Sequence, residues 1–445
     1  MLRDGWSLPG GPEWPDWGYV SAPNASGATK KARRGRLLGG TSWLTRFAVR
    51  GAASDFDSWA AAGNPGWSYA DVLPSFERLE RDLEFGSRPG HGSDGPLPIT
   101  RYPALEPSPV HAAATQALHA LGFVAQDDMN VADPAGVGRM PMSSDRGQRV
   151  TTLDGWLPSD RPLPALSIVP DTTVARLLAD GDRVTGVELA DGMTVGAGFV
   201  VLAAGVYGSP AILLRSGIGP ATDLHAFGIP TVAELSGVGA SLSDHPTVEV
   251  DAGWTGMAGN GPTLHSIAMY HSARTSRSDS PDCLFWLIDP EVDEPAFYLD
   301  PMLLRPRGRG RVRLRSADPT EAPVIELPTL HDDDVDRLVA AYRLAIELAN
   351  RPELRAAGVT TPPSDPGSDA DVRQLILENV SSVPHTTGTC RMGPDAASGA
   401  VVDARGRVHG LEGLAVVDAS IIPEPPSGFP HVVTIMVAEH LAPTL

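Results

Sequence analysis

The 445-residue sequence is poor in cysteine and has no long apolar segment. Its two cysteines, Cys283 and Cys390, are too few for a disulfide framework and fit a cytoplasmic protein. No CxxC or HExxH spacing occurs and the 12 histidines are scattered, so we predict no metal site. No apolar run reaches the roughly 18 residues of a membrane-spanning helix, and the first residues lack the apolar segment of a signal peptide.

Positive charge is also scarce. Lysine and arginine number 35 against 54 acidic residues, which gives a net charge of −19. Nucleic acids and anionic membranes bind basic surfaces, so neither is expected as a main partner. The one basic run, residues 30–36, is either a solvated loop or a phosphate-contacting patch, and we favour the solvated loop.

The sequence contains enough apolar residues, 42%, for a soluble globular protein, and its length favours two domains. Residues 55–85 predict two helices joined by a Pro-Gly turn, and residues 332–352 predict an amphipathic helix. Residues 166–205 predict short antiparallel strands that lead into a buried strand at 199–205. The coarse class is therefore α/β with β-rich insertions.

Two strand-to-helix transitions stand out. After the strand at 199–205, we predict a helix capped by Ser209 with Pro210 at its first position. Near the C-terminus, a buried strand ends at Asp418 and a helix follows a Pro-Ser-Gly turn. A strand, a turn and a helix N-terminus together can receive a phosphate group.

Motif searches alone leave the chemistry open. Gly237 and Gly239 suggest a dinucleotide-binding fingerprint, but Leu242 occupies the position of the third glycine, so the GxGxxG match fails. The paired glycines at 39–40 indicate only a turn when taken alone. A lone histidine such as His385 or His431 is more often structural than catalytic.

Several segments together resemble the glucose–methanol–choline (GMC) oxidoreductases, FAD-dependent enzymes that oxidise alcohols. The similarity runs in order from about residue 12 to residue 441. It rests on five segments: "RGRLLGGTSWLTRFAVRG" (34–51), "AGVYGSPAILLRSGIGP" (204–220), "GVGASLSDHP" (237–246), "LLRPRGRGRVRLRSADP" (303–319) and the C-terminal block that begins "HTTGTCRMG" (385–393).

The resemblance implies a site, residue by residue. His385 matches the family's active-site base, and His431 matches a second active-site position that is His or Asn in the family. Two further matches concern backbone contacts: Val174 with the adenine, and Val432 with flavin N1 and O2. The other cofactor-binding matches are the loop beside the flavin and the pair that holds the ribityl-pyrophosphate, namely Gly39, Gly40, Thr41, Asp418 and Ala419.

The implied fold is a Rossmann-like FAD-binding domain interleaved with an α+β substrate-binding domain built on an antiparallel sheet. We assign residues 1–80, 150–245 and 385–445 to the FAD-binding domain. Residues 81–149 and 246–384 form the predicted substrate-binding domain.

The sequence departs from the family pattern at three points. Leu44 and Thr45 stand where covalently flavinylated members carry a histidine, so FAD is expected to bind non-covalently. The "PSGFPH" wording resembles the subgroup associated with the peptide cofactor mycofactocin. The first βαβ unit with its GxGxxG motif is missing from the start, so the start is misassigned, the gene is truncated or the chain is a relic. We therefore expect poor expression or poor flavin retention.

The implied reaction is oxidation of a small-molecule alcohol to an aldehyde or ketone by hydride transfer to flavin N5. Oxygen, a quinone or a protein or peptide could reoxidise the flavin. Three alternatives stay open: a flavin-containing lyase, a non-catalytic relative that cannot retain FAD, and a thiol enzyme that uses Cys390 and His385.

Overall fold

A computed structural model of the chain describes residues 15–24, 27–157, 163–256, 263–276, 278–289, 296–361 and 363–445. Residues 1–14, which form part of the opening segment behind the prediction of a missing first unit, lie outside the described residues. No helix in the described part of the chain has both the length and the apolar character to cross a bilayer.

The helices and strands alternate irregularly along the chain. The helices are α1 (Ala53–Ala61), α2 (Tyr69–Leu79), α3 (Pro109–Ala120), α4 (Thr152–Trp156), α5 (Gly205–Arg215), α6 (Ala221–His225), α7 (Asp332–Ala349), α8 (Pro352–Ala356), α9 (Asp369–Asn379) and α10 (Pro430–Leu441). The strands are β1 (Glu80–Asp82), β2 (Leu97–Thr100), β3 (Ala125–Gln126), β4 (Gly136–Arg139), β5 (Met142–Asp145), β6 (Gln148–Arg149), β7 (Val174–Asp180), β8 (Arg183–Leu189), β9 (Thr194–Gly196), β10 (Val200–Leu202), β11 (Ile218–Gly219), β12 (Ala233–Glu234), β13 (Ser243–Thr247), β14 (Asp251–Trp254), β15 (Ser266–Tyr270), β16 (Cys283–Ile288), β17 (Ala296–Leu303), β18 (Arg311–Arg313), β19 (Val324–Glu326), β20 (Val359–Thr361), β21 (Ser381–Thr387) and β22 (Leu414–Val416).

The largest sheet has nine strands, in the order β20-β14-β17-β16-β15-β4-β3, with β13 joining β17 to β21. Its pairings are antiparallel except for β3 with β4. Side chains alternate between its two faces. On β16, Phe285 and Leu287 pack beneath α3, α7, α8 and α9, whereas Leu284 and Trp286 join an opposite cluster rich in methionine and aromatic residues. The predicted antiparallel-sheet part is therefore confirmed.

The second part of the molecule has short sheets around a separate core. Strands β10 and β22 pair in parallel, and β7, β8 and β9 form an antiparallel meander. Helices α2, α5 and α10 contribute to the core beside them. Within the described residues β10 pairs only with β22, and Val201 is 43% exposed. The prediction of a buried strand at 199–205 is therefore wrong: the strand covers only Val200–Leu202 and is partly exposed, because one side of β10 lacks a neighbouring strand in the described chain.

Helix α5 begins four residues before the predicted cap, at Gly205. Pro210 therefore lies inside the helix, where it has no N–H to donate to the carbonyl of Val206. The hydroxyl of Thr389 donates to that carbonyl instead, at 2.6 Å. Ser209 is not a cap, since its hydroxyl donates to Asp418 at 2.6 Å. A contact from a distant segment thus permits a start that the local sequence disfavours.

The three other helical segments predicted from the sequence are confirmed. Residues 55–85 form α1 and α2, the 332–352 segment forms α7, and the C-terminal segment forms α10. Arg311–Arg313 pairs antiparallel with Val324–Glu326. The proposed boundaries of the two domains stay a prediction.

Candidate active site

A strand irregularity positions the two histidines at the centre of the site. Strand β21 pairs with β13, and the register shifts between Ser243 and His245. The carboxylate of Asp244 accepts hydrogen bonds from the backbone N–H groups of His245 and His385, both at 2.9 Å, and from the Ser382 hydroxyl. Register shifts of this kind redirect side chains. Here the shift brings His245 and His385 together.

His385 is half-buried between polar and aromatic neighbours. Its Nδ1 lies 3.1 Å from Nδ1 of His245. The ring centroid of His385 is 4.8 Å from that of Phe429 and 6.2 Å from that of Trp286. Burial, together with His245 and Arg34, lowers the pKa of His385 well below its ordinary value. The imidazole is therefore neutral at pH 7 and can accept a proton.

His431 is the second residue of α10, directly after Pro430. Its Nε2 lies 3.3 Å from the hydroxyl of Ser143 on β5. Burial, and to a smaller extent Arg149, lowers the pKa of His431 to about 4. His431 is therefore also neutral at pH 7. Phe429, two residues earlier, connects the start of α10 to the ring of His385.

Asp418 lies just after β22 and is 5% exposed. Its carboxylate accepts hydrogen bonds from the backbone N–H groups of Gly205 and Ser420, at 2.9 and 2.8 Å, and from the Ser209 hydroxyl. These contacts tie the end of β22 to the turn between β10 and α5. Ala419, the next residue, is half-buried and begins a 3₁₀ turn.

The paired glycines form an open turn. Gly39 and Gly40 have φ values of 86° and 51°, and a side chain at Gly40 would meet no atom within 4 Å. Thr41, beside them, accepts a long hydrogen bond from the N–H of Gly35 at 3.4 Å. Gly205 likewise has a positive φ, 79°, and open space in front of it. The backbone of both turns can therefore be approached closely by a ligand.

The remaining two predicted site residues lie on regular elements. Val432 is buried in the first turn of α10, whose N-terminus has no side-chain cap. Val174 begins β7 and pairs with Leu189 of β8. Val174 is thus on the antiparallel meander, whereas His385 lies on the nine-stranded sheet and His431 faces β5.

Arg34 supports β21 from the basic run. It donates to the hydroxyl of Thr386, the neighbour of His385, and to that of Tyr207 at 3.3 Å. Its guanidinium group also lies over the Tyr207 ring, 4.7 Å from the centroid. The solvated-loop interpretation of residues 30–36 is therefore wrong for Arg34, although Lys31, Arg33 and Arg36 are exposed.

A second charged cluster lies at β1. His91 contacts Glu80 at 3.1 Å, Asp82 at 3.2 Å and Asp128 at 2.8 Å. Burial opposes protonation, but these three carboxylates raise the pKa of His91 to about 10. The Glu80, Asp82 and His91 side chains are close enough together to hold a metal ion. A protonated imidazole cannot bind a metal, and Arg50 and Arg101 already pair with the acids.

Comparison with known proteins identifies the family. The GMC oxidoreductase family models match residues 20–247 and 306–438, which together span most of the chain. The chain belongs to the GMC oxidoreductase family. It is therefore an oxidoreductase of a family that acts on CH–OH groups with FAD, and the predicted combination of an FAD-binding part and a substrate-binding part is confirmed.

The relatives of this GMC oxidoreductase include several oxidases. A 5-(hydroxymethyl)furfural oxidase from Methylovorus sp. (strain MP688) is 35% identical over 96% of this chain and 86% of its own length. An oxygen-dependent choline dehydrogenase from Ectopseudomonas mendocina is 33% identical over 96% and 83%. The crystal structure of pyridoxine 4-oxidase from Mesorbium loti has a TM-score of 0.88 at 30% identity, covering 97% of this chain and 88% of that one.

Sequence reasoning selected His385 and His431 from the resemblance, and it missed three supporting residues. Asp244 and His245 lie in the quoted segment "GVGASLSDHP", but they were considered there only as part of a family segment. Arg34 was overlooked within the basic run. An Asp-His pair in a strand-forming segment was the available signal.

Proposed function

We propose that this GMC oxidoreductase oxidises a primary alcohol to an aldehyde, with His385 as the base and His431 as its partner. The observation that carries the proposal is the neutral, half-buried His385, fixed through its backbone by Asp244 and flanked by Phe429 and Trp286. A neutral imidazole has a free nitrogen lone pair that can accept the proton of an alcohol.

The residues present fit FAD. Open backbone at Gly40 and Gly205 and the uncapped N-terminus of α10 suit an anionic, flat ligand. The buried hydroxyl of Thr387 has no partner among the described residues, so it could donate to the ligand. The holding residues would be Gly39, Gly40, Thr41, Val174, Asp418, Ala419 and Val432. Leu44 and Thr45 support non-covalent binding, because neither side chain can form the family's histidine linkage.

The chain's own residues then contribute three things. His385 accepts the proton of the substrate hydroxyl, an assistance that typically gives about 10²–10⁴-fold. His431 donates a hydrogen bond to the same oxygen and orients it. Phe429 and Trp286 exclude water from the carbinol carbon. Bound FAD supplies the acceptor for the hydride.

The apolar, aromatic cluster beside His385 suits an aromatic alcohol. Phe47, Trp286 and Phe429 pack on one another with centroids 5.9–6.1 Å apart, and methionines surround them. The carboxylate of Asp244 already accepts three hydrogen bonds and is not free to pair with a substrate cation. Similarity to an oxidase of hydroxymethylfurfural and to a pyridoxine oxidase supports the same substrate class.

The test compares alcohols on one FAD-loaded preparation. Initial rates with benzyl alcohol, furfuryl alcohol and choline are measured with oxygen and with an artificial dye as acceptor. We expect kcat/KM for the aromatic alcohols to exceed that for choline by about 10-fold or more. A preference for choline would contradict the substrate class. Dye-dependent turnover without hydrogen peroxide would support a non-oxygen acceptor, as the resemblance to the mycofactocin subgroup implies.

A further inference from the structure

We propose that His245 is a positioning residue that fixes which nitrogen of His385 carries the proton. The inference rests on the proposed function, because it concerns the base of that reaction. His245 is fully buried, pairs with Val383 of β21 and touches His385 through its ring.

The contact between the two rings has only two consistent forms when both are neutral. Their Nδ1 atoms lie 3.1 Å apart, so one Nδ1–H donates and the other Nδ1 accepts. If His245 donates, His385 carries its proton on Nε2 and cannot act as a base there. If His385 donates, its Nε2 is bare and can accept the proton of an alcohol.

The proposed base role selects the second form, because only that form leaves Nε2 of His385 free to accept a proton. Nε2 of His245 has no partner at hydrogen-bonding geometry within the described chain. Burial lowers the pKa of His245 to about 4, while the backbone carbonyls of Leu304 and Pro426 act in the opposite direction. His245 is therefore neutral at pH 7, and its Nδ1 can accept the hydrogen bond from Nδ1 of His385.

Two backbone hydrogen bonds hold the histidine pair in this arrangement. The backbone N–H groups of both histidines donate to the same carboxylate, that of Asp244. Both histidines therefore move with one buried side chain, and their rings meet at a right angle, with an interplanar angle of 87°. Because Asp244 binds the two histidines only through their backbone N–H groups, the tautomer depends on the contact between the rings.

The experiment uses the full-length, FAD-loaded protein and three variants. His245→Asn keeps an acceptor oxygen near the position of Nδ1, whereas His245→Ala and His245→Leu remove it. The first readout is the ¹⁵N spectrum of protein labelled in histidine, which reports the protonated nitrogen of His385 independently of turnover. The second is kcat and KM with benzyl alcohol, with FAD content as the control for folding.

We expect wild-type His385 to be protonated at Nδ1. His245→Ala and His245→Leu should mix the tautomers and lower kcat by about 10-fold or more with little change in KM. His245→Asn should retain the wild-type tautomer and most of the activity. An unchanged tautomer in both His245→Ala and His245→Leu would overturn the proposal.

Two further outcomes separate this proposal from the function itself. Wild-type His385 protonated at Nε2 would overturn the role of His245 even in an active enzyme. His245→Asn as slow as His245→Ala, with the tautomer retained, would also overturn a positioning role. A wild type that fails to oxidise any alcohol would defeat the proposed function, while the ¹⁵N spectra would still report on the histidine pair.

Discussion

The nine-stranded sheet and the short β10–β22 pair support the site in different ways. In the large sheet, β16 has a paired strand on each side, which fixes the position of Trp286. The carboxylate of Asp244 fixes β21 through the backbone N–H of His385. Around β10 and β22, positions depend on turns and single side chains such as Asp418. We infer that changes beside the large sheet affect chemistry, whereas changes at the turns affect cofactor retention.

The sharpest test of this comparison is His385→Ala. We expect kcat/KM to fall by about 10²-fold or more with FAD content unchanged, because the backbone bond to Asp244 is kept while the base is lost. Steady-state kinetics and the FAD absorbance ratio measure the two effects. His225→Ala, at an exposed histidine, is the matched control. Activity within about threefold of wild type would exclude the base role.

Asp418→Ala tests whether the turns around β10 and β22 determine cofactor retention. Removing the carboxylate frees Gly205, Ser209 and Ser420, and each buried donor left unpaired costs about 1–3 kcal/mol. We expect FAD to be lost during gel filtration, with near-normal turnover in the fraction that keeps it. Asp403→Ala is the control, since the Asp403 carboxylate accepts hydrogen bonds only from the backbone N–H groups of Arg405 and Arg407 in its own turn, among the described contacts. Full flavin content with loss of turnover alone would show that Asp418 acts in the chemistry.

The buried charges at His91 give a pH-dependent prediction. The pKa of His91 is raised from 6.5 to about 10, so the protonated ring stabilises the folded state. That contribution is complete below pH 6.5 and is lost as the pH rises through about 10. Urea unfolding of wild type and His91→Gln should give free energies that converge over this range. A difference that stays constant with pH would contradict the charged state of His91.

The smallest effect is expected at Cys390. The thiol is fully buried, and burial, followed by Asp418, raises its pKa well above the ordinary value. We expect iodoacetamide at pH 8 to leave activity unchanged and Cys390→Ala to retain kcat within about twofold. Rapid inactivation on alkylation of Cys390 would revive the thiol-enzyme alternative.

Local sequence patterns predicted the helices that nearby residues determine. The apolar spacing in α2 and α7 and the Pro-Ser-Gly turn before α10 each indicated a helix that the structure contains. The start of α5 was missed because the carbonyl that Pro210 leaves unpaired is satisfied by Thr389, a residue far along the chain. The exposure of Val201 was missed because burial depends on which strands flank β10.

The same distinction holds for the site: residues within a motif were predicted, and contacts between distant residues were not. The resemblance supplied His385 and His431, since a motif fixes their positions in the sequence. The pairing of His245 with His385 joins residues 140 positions apart through an irregular strand pair, and no pattern in either segment indicates it. The His91 cluster likewise needs β1, a loop and residue 128 to meet before its charge can be inferred.

Anaerobic mixing of the FAD-loaded protein with benzyl alcohol tests the central claim most directly. We predict that the flavin absorbance bleaches in one turnover while benzaldehyde forms. The α,α-dideuterated alcohol should slow this step by several-fold, and His385→Ala by about 10²-fold. Aromatic alcohol consumed without bleaching would contradict the account and favour a lyase. A fully loaded protein that neither bleaches nor turns over any alcohol would contradict it as well.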